Sequence, residues 1–304
     1  MTEEDAHSDL TSDICPLFSE SAPAKINLYL HVVGRRPDGY HLLESLVVFA
    51  ECGDVITAES AADFSLQIDG PFAHGLSAGD DNLVLRAARG LAGLLGIGKA
   101  ASLKLTKNLP IASGIGGGSA DAAATIEALL PLWSMEDVDR KRLAVFALKL
   151  GADVPVCLYG RSSVVSGIGE TTEDAGRLPA ADLLLVNPGV ATPTPQVFKA
   201  RTGPFSAPSP WSPLARISVP ELVARLKLYR NDLTGPAMTV APVIRDVLRA
   251  IEATPGCLLS RLSGSGATCF GIYESAAAAE AARAAILAAH PDWWAVATKI
   301  AARI

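Results

Sequence analysis

The 304-residue chain is expected to fold as an α+β protein with two domains. Its second half reads β-α-β-β-α-β, the order of a split βαβ or ferredoxin-like domain. Its first half sets a glycine-rich loop between a strand and a helix. Its length also suits two separate cores better than one. Charged and turn residues cluster from Gly169 to Pro179. The boundary is therefore expected there, with an amino-terminal domain over 20–175 and a carboxy-terminal domain over 176–304.

In chain order, residues 1–19 are expected to form a disordered tail. Ala24 to Val33 alternates like a half-buried strand, with Lys25, Asn27 and Tyr29 on one face. Gly34 to Gly39 contains Pro-Asp-Gly and reads as a turn. Strands follow at His41 to Ala50, Asp54 to Ala58 and Phe64 to Asp69. Asn82 caps a helix that runs to about Gly96. A strand at Ala101 to Lys107 feeds the glycine loop, and helices come next from Ala122 and from about Val138 to Leu150. Short strands are expected at Val156 to Tyr159 and Ser163 to Gly167. The second half offers a strand at Ala181 to Val186, a Pro-rich stretch, and helices near Pro220 to Tyr229 and Ala241 to Ala253. Strands at Cys257 to Leu262 and Thr268 to Tyr273 flank a second glycine turn. A helix over Ser275 to His290 and a strand over Trp293 to Thr298 end the pattern. Arg201 to Pro213, rich in Pro and Ser, reads as a surface loop.

The formal net charge of −6 supplies no basic field, so neither nucleic acid nor an anionic membrane surface is an expected partner. The five cysteines show no paired spacing that suggests zinc or a disulfide framework. The amino terminus lacks the basic and apolar regions of a signal peptide, and no apolar run is long enough to span a bilayer. These features suit a cytoplasmic protein, as a monomer or a homodimer.

Chemistry concentrates in Leu109-Pro110-Ile111-Ala112-Ser113-Gly114-Ile115-Gly116-Gly117-Gly118-Ser119-Ala120-Asp121. Glycines let the backbone approach a ligand, and the following helix offers unpaired N–H groups and the positive end of its dipole. No Lys-Ser or Lys-Thr follows the last glycine, so this is not a P-loop. Ser119 stands where a dinucleotide fingerprint needs glycine. By itself the stretch is either a phosphate site or a tight turn. Three distant segments add to it: Pro23 to Leu28 with a lysine and an amide, Gly151 to Pro155 with one carboxylate, and Leu262 to Thr268 with a second glycine turn.

With these motifs the chain resembles the GHMP small-molecule kinases. Pro23 to Leu28, Pro110 to Ala120 and Ser263 to Ala267 match the three motifs of that superfamily. Gly34 to His41, Gly151 to Pro155, Pro188-Gly189-Val190, Pro193-Thr194-Pro195 and Asn231-Asp232-Leu233 narrow the match to the branch acting on 4-diphosphocytidyl-2-C-methyl-D-erythritol. The likeness runs from about Ala22 to about Val296. It implies a GHMP fold, with an amino-terminal domain like domain 2 of ribosomal protein S5, a ferredoxin-like second domain, and a site in the cleft between them. The implied reaction moves the γ-phosphoryl group of ATP to the 2-hydroxyl of the methylerythritol moiety, in non-mevalonate isoprenoid precursor synthesis.

The resemblance assigns Asp153 as general base and Lys25 as the cation beside it. Asn27 then orients the hydroxyl or Lys25. Pro110, Ile111, Ala112, Ser113, Gly114, Ile115, Gly116, Gly117, Gly118, Ser119 and Ala120 wrap the phosphates of ATP, with Ser119 near Mg²⁺. Asn82 and Lys107 fall on the adenine side. Tyr40 and Phe198 are expected to sandwich the cytosine, at about 1–3 kcal/mol per stack, while His41 meets its edge. Thr194 and Pro195 line the same pocket, and Gly264, Ser265 and Gly266 lie against the phosphates and diphosphate. Other GHMP substrates, such as homoserine, mevalonate or a sugar, have no base to stack. A ligand-binding relative without activity would not need both Lys25 and Asp153.

Overall fold

A computed structural model of the chain describes residues 16–213 and 217–301. The expected tail therefore lies outside the described residues up to position 15. Phe18 and Ser19 are already strand, contrary to expectation, because they pair with Ala58 and Thr57.

Among the described residues, ten strands form two sheets. In the first, β1 (Phe18–Arg35) and β2 (His41–Ala61) make a long antiparallel hairpin. The expected strands at 41–50 and 54–58 are thus one element. The polar residues between them, from Glu51 to Gly53, do not interrupt it, because β1 runs alongside with a bulge that absorbs the irregularity. On its other edge β2 pairs first with β5 (Ser163–Gly167) and then with β4 (Ala100–Thr106). β3 (Ser65–Asp69) and β6 (Thr171–Asp174) complete the order β3-β4-β2-β5-β6.

Three helices cover this sheet: α1 (Leu83–Leu95), α2 (Gly117–Leu132) and α3 (Arg140–Leu150). Their apolar sides meet Ile56, Leu103 and Leu105 in one core. The run expected as a strand at 156–159 is instead a helix, α4 (Val154–Tyr159). Pro155 sits in its first turn, where no N–H is required, and Val154 and Val156 are buried.

The second sheet contains β7 (Asp182–Asn187), β8 (Cys257–Leu262), β9 (Cys269–Tyr273) and β10 (Trp294–Lys299). Its order β10-β7-β9-β8, antiparallel throughout, is the ferredoxin-like arrangement. Helices α6 (Val219–Leu226), α8 (Ile244–Glu252) and α9 (Ala276–Ala289) lie near the expected positions. Two short helices were not anticipated, α5 (Thr194–Ala200) and α7 (Thr234–Val240). The Pro-rich composition concealed α5, although its prolines occupy the cap and first turn, where they are compatible with a helix.

β1 joins the two halves. Ala22 packs in the first core, while Ala24, Ile26, Leu28 and Tyr29 pack against Leu183, Leu185 and Phe270 of the second sheet. Leu30 and Val32 reach a third cluster with α7 and α8. A register shift between Asn27 and Tyr29 turns Tyr29 into the core, where it stacks on Tyr229 at 4.4 Å. Tyr29 therefore does not share the face of Lys25 and Asn27, because a bulge breaks the period-2 alternation.

The bulge also exposes the Leu28 carbonyl to a partner outside the ladder. Arg261 of β8 donates to it at 2.7 Å, and to the carbonyls of Leu226 (2.9 Å) and Tyr229 (2.8 Å). Burial pushes the pKa of this guanidinium down to about 10. Its removal leaves three buried acceptors unsatisfied. Arg261→Met is expected to lower unfolding stability by about 2–4 kcal/mol, measured by urea denaturation. A loss below 0.5 kcal/mol, on the order of a surface change, would contradict this role.

Candidate active site

A cavity of about 1350 Å³ runs between the two sheets. Its floor is the glycine loop, which leaves β4 and becomes the first turn of α2. The loop needs left-handed backbone at Gly114 (φ 73°) and Gly116 (φ 65°). Gly116 caps α2 without a side-chain hydrogen bond, so the opening N–H groups stay available to an anion. The helix starts at Gly117 rather than at Ala122, which places Gly118 and Ser119 in its first turn. The Ser113 hydroxyl donates to the Pro110 carbonyl (2.6 Å) and the backbone N–H of Lys25 to Ile115 (2.9 Å).

The second glycine turn closes onto this loop. A Cβ on Gly114 would lie 2.6 Å from the backbone of Ser263 and Gly266, and one on Gly264 would lie 2.7 Å from the Gly114 carbonyl oxygen. The Ser263 hydroxyl donates to that same carbonyl (3.0 Å) and accepts from the Asn27 N–H (3.2 Å). The Thr268 N–H donates to Ser113 (3.0 Å). Asn231 holds the turn from behind, donating to the carbonyls of Leu262 (2.9 Å) and Gly264 (2.8 Å).

At one wall, Lys25 Nζ lies 3.2 Å from Asp153 Oδ2 and 3.0 Å from Asn27 Oδ1. The lysine is buried, whereas the Asp153 side chain is 45% exposed and faces the cavity. Asp153 precedes α4 but makes no capping bond with its side chain, so its carboxylate remains available for chemistry. Asn27 Nδ2 donates to Ser45 Oγ (2.7 Å), and Ser45 donates to the Tyr29 carbonyl (2.5 Å). This relay fixes the amide with its oxygen toward Lys25. Nothing in the sequence marks Ser45, a lone serine in an apolar strand.

At the other end, His41 stacks on Phe198 with ring centroids 4.8 Å apart and planes inclined by 20°. Burial, Arg35 and Arg201 lower the pKa of His41, which keeps the imidazole neutral at pH 7. Phe198 therefore faces His41, and Tyr40 projects from the hairpin tip 61% exposed. Both Tyr40 and Phe198 line the cavity, and His41 is the ring that stacks directly on Phe198. Thr194 and Ser265 hydroxyls meet at 2.9 Å across the cavity wall, beside Pro195.

Two residues expected near adenine line the cavity with their side chains already engaged. Asn82 Oδ1 accepts from the Val84 N–H (2.9 Å), and Nδ2 donates to Ser77 (2.7 Å). Lys107 lies buried between Asp54 and Asp121. Ile115, Ala120 and Gly266 lie behind the lining rather than in it.

Family comparison follows this geometry. The GHMP kinases N terminal domain matches residues 82–161, and the GHMP kinases C terminal domain matches residues 217–292. The chain belongs to the GHMP kinase family. It is 54% identical over 277 residues to the 4-diphosphocytidyl-2-C-methyl-D-erythritol kinase of Paramagnetospirillum magneticum, covering 91% of this chain and 96% of the relative. To the enzyme of the same name from Cereibacter sphaeroides it is 53% identical, covering 90% and 95%. A crystal structure of 4-(cytidine 5'-diphospho)-2C-methyl-D-erythritol kinase superposes with a TM-score of 0.74 at 33% identity, over 93% of this chain and 99% of that one. Within the GHMP kinases, the chain therefore falls in this branch.

The glycine contact yields a direct test. Gly114→Ala meets both a positive φ and backbone at 2.6 Å. It is expected to cost about 2–4 kcal/mol of stability and to impair ATP binding at least about tenfold. Gly118→Ala, where an added Cβ meets nothing within 4 Å, serves as the control in thermal unfolding. Equal melting temperatures for the two variants would refute the close approach.

Proposed function

We propose that the chain transfers the γ-phosphoryl group of ATP to the 2-hydroxyl of 4-diphosphocytidyl-2-C-methyl-D-erythritol, releasing ADP and the 2-phosphate, in the non-mevalonate route to isoprenoid precursors. One observation carries this reading. A single cavity joins an uncapped glycine-loop helix, a lysine–carboxylate pair and an aromatic shelf with a neutral histidine.

ATP lies with its phosphates on the loop and the α2 N-terminus. Asp153 accepts the proton of the acceptor hydroxyl as that oxygen attacks the γ-phosphorus, and the bond to the β-phosphate oxygen breaks. Lys25, held by Asn27 and Ser45, offsets the charge that gathers beside Asp153. The cytosine rests against the His41–Phe198 pair. His41 is neutral and so offers both a donor and an acceptor nitrogen to the base edge, and Tyr40 meets the base from the hairpin tip.

Mg²⁺ fits as an ion brought in by the nucleotide. Among the described residues no group of three His, Cys, Asp or Glu side chains forms a metal cage. The half-buried Ser119, in the first turn of α2 and lining the cavity, is the residue that would meet the ion. The ion, when bound, neutralises phosphate charge. Cys52, Cys157, Cys257 and Cys269 are free thiols, in keeping with a cytoplasmic location. We place the boundary between the domains near residue 175, in the connection from β6 to β7.

The deciding experiment is ADP release with 4-diphosphocytidyl-2-C-methyl-D-erythritol set against homoserine, mevalonate and galactose. Turnover confined to the cytidyl substrate is expected; preference for any other alcohol would overturn the assignment. Asp153→Ala is expected to lower kcat by about 10²–10⁴-fold, with ATP affinity largely retained. The pH profile gives a further check. Because burial and the two arginines lower the His41 pKa, the imidazole gains its proton at lower pH than an ordinary histidine. KM for the cytidyl substrate should therefore stay flat from pH 7 to 8 and rise in the acid range, and His41→Gln should abolish the rise.

A further inference from the structure

Lys107 leaves β4 immediately before the glycine loop, and only 3% of the residue is exposed. Its ammonium bonds Asp54 of β2 at 2.5 Å and Asp121 of α2 at 2.7 Å. The second oxygen of Asp54 accepts from the backbone N–H groups of Asn108 (2.6 Å) and Leu109 (2.8 Å). The Asn108 side chain returns to the Gly53 carbonyl (3.1 Å). One carboxylate therefore grips the entry to the loop, and the same ammonium reaches the helix at its exit. A Cβ on Gly117 would stand 3.1 Å from Lys107 Nζ, so the first residue of α2 lies directly over the ammonium.

Neutralising charge does not explain this cluster. Burial raises the Asp121 pKa to about 7, so the cluster carries between no net charge and one negative charge and brings no positive charge to a site for a polyanion. Nor is the network fully satisfied, because Asp121 Oδ1 is buried without a partner. A buried ion pair is weak evidence for stability in itself. What the cluster does supply is a fixed distance between strand end and helix start. The second glycine turn holds the middle of the loop at Gly114, and the cluster fixes its two ends, so that the ligand need not order the glycine backbone from 116 to 118.

Resting on the reading of the loop as the ATP cradle, we propose that Lys107, Asp54 and Asp121 are positioning residues. They preset the spacing of the N–H groups that receive the triphosphate, without touching it.

The test uses the full chain and measures ATP affinity by calorimetry, KM for both substrates and the melting temperature. Asp121→Ala should weaken ATP binding about tenfold or more while leaving KM for the cytidyl substrate within about twofold. Asp121→Asn should stay within about threefold of the parent, because an amide oxygen still accepts from Lys107. The double variant Lys107→Met with Asp121→Leu removes the tether and leaves one buried carboxylate, Asp54, which keeps the Asn108 and Leu109 N–H groups, so its melting temperature should fall less than that of Lys107→Met alone while ATP affinity is lost. It also stands in if Asp121→Ala fails to fold. Unchanged ATP affinity in the double variant, or equal losses for both substrates, would overturn the positioning role. A parent chain that binds no ATP would instead overturn the reading of the loop itself.

Discussion

Two glycine turns, one from each half of the chain, meet backbone to backbone where a single Cβ on either would collide. The contact between Gly114 and the 263–266 turn is the constraint on which the rest of the molecule depends. A phosphate cradle built from one loop would need only local geometry. The proposed cradle is completed by a turn about 150 residues further along the sequence, so the two sheets must hold a fixed relation to each other. β1 maintains that relation by packing into every large core. Arg261 reinforces it by bonding the Leu28 carbonyl of the first half and the Leu226 and Tyr229 carbonyls of the second, while Asn231 braces the turn itself.

The reactive pair draws on the same arrangement. Lys25 lies on β1 and Asp153 just ahead of a short helix, and their burial is unequal. The buried lysine is held by an amide whose other end is tied to a serine on the neighbouring strand. The carboxylate keeps nearly half of its surface open, as suits a group that must meet a substrate proton. In the proposed mechanism the chemistry is thereby divided between a rigid cation and an accessible base. At the far end of the cavity a neutral imidazole stacked on Phe198 gives a planar shelf with hydrogen-bonding edges, which suits a nucleobase better than a sugar.

Legibility in the sequence varied with the range of the interaction involved. Asn82 as a helix cap, the hairpin turn at Pro37 to Gly39 and the ferredoxin-like order of the second half follow from local rules, and the structure contains each of them. Tyr29 was misassigned to the face of Lys25 because a bulge, set by pairing with β2, shifts the alternation by one residue. The run 156–159 is apolar enough for a strand, but no neighbouring strand edge receives it, and Pro155 opens a helix instead. That His41 stacks on Phe198 is not legible in the sequence, because it depends on where a hairpin tip and a helix from the other half come to rest.

The sequence by itself determined the chemical inventory: a glycine loop before a helix, one lysine, one carboxylate, a second glycine turn and an aromatic–histidine pair, enough to read phosphoryl transfer by resemblance. Only the tertiary structure decided how those groups are engaged. It buries Lys107 under the loop between Asp54 and Asp121, enlists Ser45 to orient Asn27, and brings Asn231 behind the second turn. The reason is physical. Backbone conformation follows from neighbouring residues along the chain, whereas the partner of a buried polar group is chosen by desolvation among whatever groups the packing of distant elements brings within reach.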